Sequence, residues 1–416
     1  MEVLALQVHR SLPRYLAAKA ISKRIPGAVS GGLAPLRLVS TSAPRSPSEG
    51  WGRVRPRLSG ICGSDLGMLT GATSPYFSPL VSFPVTPGHE LVGELLDDVD
   101  DIPSGTRVVI DPVLSCATRG LERCSECAVG NTGRCQQITV GHLSPGLQTG
   151  YCQDVGGGWS QQLIAHRSQL YPVPDTLPDE RAVLIEPLAC AVHAALRAEV
   201  STDDDVLVAG SGTVGLLTVL ALQAFAAPSR IIVTAKHPRQ AELARRFGAD
   251  TVTSPEKATS TIRRNTRALR LHPELGADFL LGGVDVAIDC AGSASSIDLA
   301  LRSVRAGGRV VLAGMPASGV DLSPAWFREL HVVGAYASGR EPLARDASSF
   351  ELAMELAASA PLDELGVATY PLQRWRQAID HALDAGRLGS AKVAFDLTAE
   401  RATRTRTSDT PAAIAR

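Results

Sequence analysis

The sequence predicts an α/β protein of two domains, one β-rich and one built on a doubly wound parallel sheet. Three observations carry this. Between residue 51 and about residue 174 the apolar runs are short, strand-like and broken by glycine and proline. Beyond about residue 178, buried-strand runs alternate with helical stretches, the pattern of βαβ units. A glycine turn, Gly210-Ser211-Gly212-Thr213-Val214-Gly215, joins the first of those strands to its helix. The expected division is 1–190 with 341–398 for the β-rich domain and 191–340 for the parallel sheet, with a disordered tail at 399–416.

Taken in order, residues 27–50 are rich in Gly, Ser and Pro and read as loop or edge structure. A strand is expected over 51–58, and further strands within 81–111 around the turn Asp100-Asp101-Ile102-Pro103-Ser104-Gly105. Residues 188–196 read as helix, 206–209 as a buried strand, 214–226 as helix and 230–233 as strand. The helix over 239–247 ends at Gly248. Strands at 284–288 and 309–312 flank a helix at 295–304, and helices at 348–358 and 374–385 precede a last strand, 392–397.

With 416 residues, 44% of them apolar, the chain has ample material for two cores. A formal net charge of -1 and 4% aromatics point to neither nucleic acid nor a membrane surface as partner. No run approaches the ~18 apolar residues of a membrane span. Segment 1–26 carries Arg10, Arg14, Lys19, Lys23 and Arg24 against Glu2 alone. That fits an organellar transit peptide or an N-terminal strand and helix with a solvated basic face, and the shortage of serine favours the latter. The expected location is cytoplasmic.

Two clusters carry metal chemistry. Ser59-Gly60-Ile61-Cys62-Gly63-Ser64-Asp65 and Gly88-His89-Glu90 together offer a thiolate, an imidazole and carboxylates. With a later acid, Cys62 and His89 make the donor set of a zinc that keeps one position open, and Ser64 is placed to pass a proton. Cys116, Cys124, Cys127 and Cys135 lie in a glycine-containing polar loop. They fit a closed Cys₄ site that pins a loop with little core of its own; a redox Cys-x-x-Cys would open a helix beside a βαβ unit instead. Cys152, Cys190 and Cys290 read as small packed hydrophobes.

The glycine turn fits a dinucleotide. Gly210 permits the tight turn, Gly212 lets the pyrophosphate approach the backbone, and Gly215 lets helix pack on strand; Thr213 and Val214 open the helix whose N–H groups face the phosphates. An acid near position 235 would bond the ribose of NAD, but the sequence there is Thr234-Ala235-Lys236-His237-Pro238-Arg239. Lys236 and Arg239 suit a 2′-phosphate, so NADP is preferred to NAD.

These pieces, in this order, resemble the zinc-containing medium-chain dehydrogenase/reductases of the alcohol dehydrogenase superfamily over roughly residues 35–397. Ile185-Glu186-Pro187-Leu188 is similar to the polyol and threonine dehydrogenase branch, where a glutamate replaces a cysteine at or near the zinc. The resemblance implies a GroES-like catalytic domain and a Rossmann domain, one catalytic and one structural Zn²⁺, and a homodimer or homotetramer. It makes Cys62 and His89 zinc ligands, with Glu90 and Glu186 as a ligand and a near acid. It makes Asp65 the residue that orients His89 and Ser64 the proton relay, and it places Lys392 against the cofactor. The implied reaction is reversible hydride transfer between a small-molecule alcohol or polyol and NAD(P), giving an aldehyde or ketone. The rival readings are an aldehyde reductase and a non-catalytic NADP-binding protein that keeps the fold. Three departures stand out: Gly67 replaces a relay histidine, Cys116 lies earlier than the usual first cysteine, and segment 256–281 is long and basic.

Overall fold

The computed structural model describes residues 2–22 and 24–398, so the tail expected at 399–416 lies outside the described residues. Two large sheets organise the chain. A seven-stranded sheet runs in the order Val367–Pro371, Lys392–Asp396, Trp51–Gly60, Leu91–Leu95, Arg107–Ile110, Leu170–Pro172, with Leu163–His166 also paired to Trp51–Gly60. The last strand therefore returns from the far end of the chain to lie antiparallel to Trp51–Gly60, pairing Ala394 with Gly60.

The second sheet has six parallel strands, ordered Thr251–Thr253, Arg230–Thr234, Asp205–Ala209, Val284–Asp289, Val304–Leu312, His331–Gly334. Numbered along the chain this is 3-2-1-4-5-6, and the order reverses between Asp205–Ala209 and Val284–Asp289. The crevice at such a reversal is where an open α/β sheet takes its ligand. The glycine turn sits there, directly after Ala209. Val206, Leu207 and Val208 are wholly buried because helices cover both faces of the sheet.

Helix Ile185–Arg197 links the two halves and runs unbroken through residue 190. Its alanines and aliphatics are buried nearly all round, against helices Thr213–Phe225 and Ser349–Ser359, as a helix apolar on every side must be. The helix begins with Glu186 in its first turn, where the positive end of the dipole favours an acid.

The N-terminal strand and helix are present as Glu2–Val8 and Leu12–Ile21. Within 27–50 the segment Leu36–Ser42 is a strand that, among the described residues, pairs only with Glu2–Val8, so edge structure prevails over loop there. Segment 256–281 folds as helix Ala258–Thr266, with Ala258, Thr261 and Ile262 turned inward, followed by the hairpin Leu269–Leu271 and Phe279–Leu281. Arg263, Arg264 and Arg267 are exposed, while Arg270 pairs with Asp278.

Asp111 joins the halves by accepting from the Val113 N–H at 3.1 Å and from Ser338 Oγ at 2.9 Å. Burial raises its carboxyl from 3.8 to about 6. The unfolded chain gives up this proton first, so the folded state loses stability as pH rises from about 4 to about 6 and stays level above. Asp111→Asn keeps one oxygen to accept from the Val113 N–H, turns the Ser338 contact around so that its amide donates to Ser338 Oγ, and removes the titration. Its unfolding free energy, followed by urea denaturation, should gain about 3 kcal/mol relative to wild type across that window.

Candidate active site

Cys62 caps helix Gly63–Thr70, and Asp65 at its third position accepts from the Cys62 N–H at 3.0 Å. This reciprocal cap places Cys62, Ser64 and Asp65 around one helix end. His89 reaches them from the loop before strand Leu91–Leu95. There Gly88 has φ 95°, and a Cβ on it would lie 2.4 Å from Trp159 Cδ1. Only glycine lets the loop press on that indole and turn the next residue into the site.

Ser64 Oγ lies 3.4 Å from His89 Nε2, and Asp65 Oδ1 lies 3.6 Å from His89 Nδ1. Asp65 Oδ1 and His89 Nδ1 are both buried without a hydrogen-bond partner. The carboxylate thus faces one ring nitrogen and leaves the other turned to Ser64, the orientation a ligating imidazole needs. Burial works against the charged ring, but Asp65, Cys62 and Glu186 together hold the His89 pKa well above its ordinary value. The Cys62 thiol also bonds this ring, and the Tyr151 ring lies 5.9 Å from it.

Glu90, expected at the metal, is held elsewhere: its Oε2 is paired with Lys392 Nζ, and both side chains are buried. Lys392, expected against the cofactor, is thereby committed to Glu90, with a further contact to the Ile61 carbonyl at 3.4 Å. Burial disfavours the ammonium, yet Glu90 and Cys62 raise its pKa above the usual lysine value. Glu186 is buried and accepts from Cys190 Sγ at 3.5 Å. Its carboxyl is pushed up to about 7, by burial first and by Glu90, against the opposing pull of His89 and Lys392. A thiol, an imidazole and a carboxylate not already spoken for remain: the donor chemistry of a zinc with an open position.

The second cluster is tighter. Among the described residues, Cys116, Cys124, Cys127 and Cys135 are the one set of three or more such side chains whose ligand atoms all lie within 4.8 Å of one another. Cys116 reaches in because the chain turns back through residues 117–119 and Gly120, returning the Leu121 N–H to the Cys116 carbonyl at 3.1 Å. The loop is held by Arg119, wholly buried, whose guanidinium donates to the carbonyls of Leu114, Val140, Leu143, Ser144 and Gly146. Backbone N–H groups donate to Cys116 and Cys135 sulfurs, both at 3.4 Å. Backbone bonds lower the Cys124 thiol to about 6, whereas burial raises Cys127 and Cys135. Four thiolates packed this closely need a cation, and Zn²⁺ fits them.

At the glycine turn, a Cβ on Gly215 would lie 2.0 Å from the Gly210 carbonyl oxygen, whereas one on Gly212 would meet nothing within 4 Å. The helix is packed hard on the turn and the turn is open in front, as pyrophosphate binding requires. Thr213 Oγ1 donates to the Ala391 carbonyl at 2.5 Å, tying the turn to the last strand, and Val214 lies in the helix's first turn. Lys236 is exposed, two residues beyond Thr234, whose Oγ1 accepts from the Gly210 N–H at 2.9 Å. Arg239 is engaged with Glu242 at 3.0 Å and with the Glu364 carbonyl at 2.9 Å.

Residues 48–175 match the family model of the alcohol dehydrogenase GroES-like domain, and residues 213–359 match that of zinc-binding dehydrogenases. L-idonate 5-dehydrogenase of Vitis vinifera is 30% identical over 83% of this chain and 87% of its own length. Sorbitol dehydrogenase of Arabidopsis thaliana is 30% identical over 83% of this chain and 88% of its own. The chain belongs to the zinc-binding alcohol dehydrogenase family. Its place is the polyol dehydrogenase branch, and its cofactors are Zn²⁺ and NAD(P). The fold is shared with the crystal structure of 2R,3R-butanediol dehydrogenase from Bacillus subtilis, at a TM-score of 0.68 and 21% identity over 95% of this chain and 99% of that one.

In this dehydrogenase a side chain at Gly67 would be tight, since a Cβ there meets Met315 Cε at 3.1 Å and Thr73 Oγ1 at 3.2 Å and both would have to shift. Tyr151, which bonds Ser64, escaped the sequence reading because it lies in a loop without periodicity. Cys190, read as a packed hydrophobe, is a partner of Glu186, and its position one helical turn beyond the acid was the available signal. Lys392→Met should cost the dehydrogenase about 3–5 kcal/mol by leaving Glu90 buried and unpaired. The double variant Lys392→Met/Glu90→Gln should recover most of that loss in urea denaturation.

Proposed function

We propose that this dehydrogenase interconverts a secondary alcohol of a polyol with the corresponding ketone, using NADP in preference to NAD. The observation that carries the reading is Ser64 Oγ at 3.4 Å from His89 Nε2, beside Cys62 and the buried Glu186. The names of the relatives, L-idonate 5-dehydrogenase and sorbitol dehydrogenase, point to polyhydroxylated substrates.

Cys62, His89 and Glu186 hold the catalytic zinc; Cys116, Cys124, Cys127 and Cys135 hold the structural one. When bound, the catalytic zinc supplies Lewis acidity and the nicotinamide exchanges hydride. Ser64 Oγ would accept the alcohol proton while passing its own hydroxyl proton on towards solvent, and would run the same relay backwards in reduction, with Tyr151 beside it. Asp65 keeps His89 Nδ1 facing a carboxylate. Glu90 sets the charge behind the site while Lys392 neutralises it. Gly210, Gly212, Thr213, Val214 and Gly215 receive the pyrophosphate. Lys236 meets the 2′-phosphate, and Arg239, already engaged, contributes only through the local positive field.

The catalytic domain comprises 1–190 and 341–398, and the Rossmann domain 191–340. The protein assembles as a homodimer, or as a homotetramer made of two such dimers, through the open edge strand His331–Gly334, beside which Trp326 is 83% and Phe327 67% exposed. Among the described residues no helix is long and apolar enough to cross a membrane, and the proposed location is cytoplasmic.

The test is NAD(P) reduction across a panel of polyols and simple alcohols, with elemental analysis for zinc. Wild type should hold two zincs per chain and Cys62→Ser one. Ser64→Ala should keep both zincs and lose about 10²–10⁴ in kcat. Lys236→Glu should raise KM for NADP about tenfold, the worth of one good charge contact, and spare NAD. Two zincs with no turnover on any alcohol or carbonyl would overturn the reading.

A further inference from the structure

We propose that the outward face of helix Leu12–Ile21 is a docking surface for an anionic lipid membrane. The helix rests on helix Gly63–Thr70 and on residues 27–33, where Arg14 Nη1 donates to the Gly32 carbonyl at 3.0 Å, and its remaining side faces outward. Tyr15 Oη donates to the Thr73 carbonyl at 2.6 Å, Ser22 Oγ donates to the Thr70 carbonyl at 3.1 Å, and Ala18 is buried between them. A surface helix fastened this way ordinarily turns polar side chains to water. Here Leu12, Pro13, Leu16, Ala17, Ala20 and Ile21 occupy the outer side, with Leu12, Leu16 and Ala20 in one row by their spacing of four. Leu12 is 67% and Leu16 54% exposed, and Ile25 beyond the helix is 59% exposed.

Charge selects the occupant. Arg14 and Lys19 flank the apolar row on either side, and Arg10 and Arg24 stand exposed at its ends. No acid occurs between Glu2 and Glu49, a span that carries seven lysines and arginines, although the whole chain has a formal net charge of -1. An apolar row with cations along both borders is the form of a helix lying in a membrane interface. The aliphatic side chains enter the acyl boundary, while lysine and arginine reach up to the phosphates. A second copy docking through the same face would set Arg14, Lys19 and Arg24 against their own images, since a two-fold contact repeats the patch on both partners. The helix lies on this surface rather than spanning it, being ten residues long.

The test is co-sedimentation of the full-length, zinc-loaded protein with phosphatidylcholine vesicles, with and without phosphatidylglycerol, at low and high salt. Wild type should bind the anionic vesicles only, and less at high salt. Leu12→Gln/Leu16→Gln and Arg14→Gln/Lys19→Gln should each weaken binding about tenfold or more, with kcat and melting temperature unchanged. Absence of binding, equal binding to neutral vesicles, or full binding by Leu12→Gln/Leu16→Gln would overturn the proposal. So would a concentration-dependent dimer, abolished by that variant, in a protein that ignores vesicles: the face would then belong to a second copy.

Discussion

The buried pair of Lys392 and Glu90 fixes more of this molecule than any other single contact. Two charges withdrawn from water cost several kcal/mol each, and only a close and fully enclosed partner offsets that cost. Lys392 is the first residue of the last strand, and Glu90 immediately follows His89. Their pairing therefore specifies where the chain's end must dock. Docked there, strand Lys392–Asp396 closes the seven-stranded sheet against Trp51–Gly60, and the Ala391 carbonyl meets Thr213 at the cofactor turn. Sheet closure, metal site and dinucleotide turn are thus held through one neighbourhood.

The two proposed metal sites differ in how their donors are held. The cysteine loop gathers four sulfurs with little apolar core of its own, and Arg119 compensates with five carbonyl contacts where side-chain packing is scarce. A guanidinium can do this because its donors spread in a plane and keep their charge when buried. The Cys62–His89–Glu186 region is looser, and its donors come from three separate elements: a helix cap, a glycine-bent loop and the first turn of a central helix. Looseness there is compatible with chemistry, because a substrate must enter beside the metal.

Helix Ile185–Arg197 lets the two halves act together. It carries Glu186 into one half and packs along its length on the helix that follows the glycine turn of the other. A displacement of this helix would move Glu186 of the proposed metal site and the helix behind the proposed cofactor turn at once.

The sequence by itself determined whatever depends on local spacing. The alternation of strands and helices after residue 178, the glycine turn and the four-cysteine loop are short-range patterns, and the structure places each as its spacing required. Leu36–Ser42 was partly hidden because glycine and proline surround a brief alternation whose partner is the separate strand Glu2–Val8. The partner of Lys392 was beyond local reading altogether: a lysine within an apolar strand announces a buried acid but not which one, and Glu90 lies 302 positions away. The same holds for Arg239, drawn to Glu242 and Glu364, and for Leu12 and Leu16, which local pattern would turn inward. Only tertiary structure decided these, because burial, ion pairing and the facing of a helix are settled by segments that meet across the fold, and their sequence separation leaves no periodic trace.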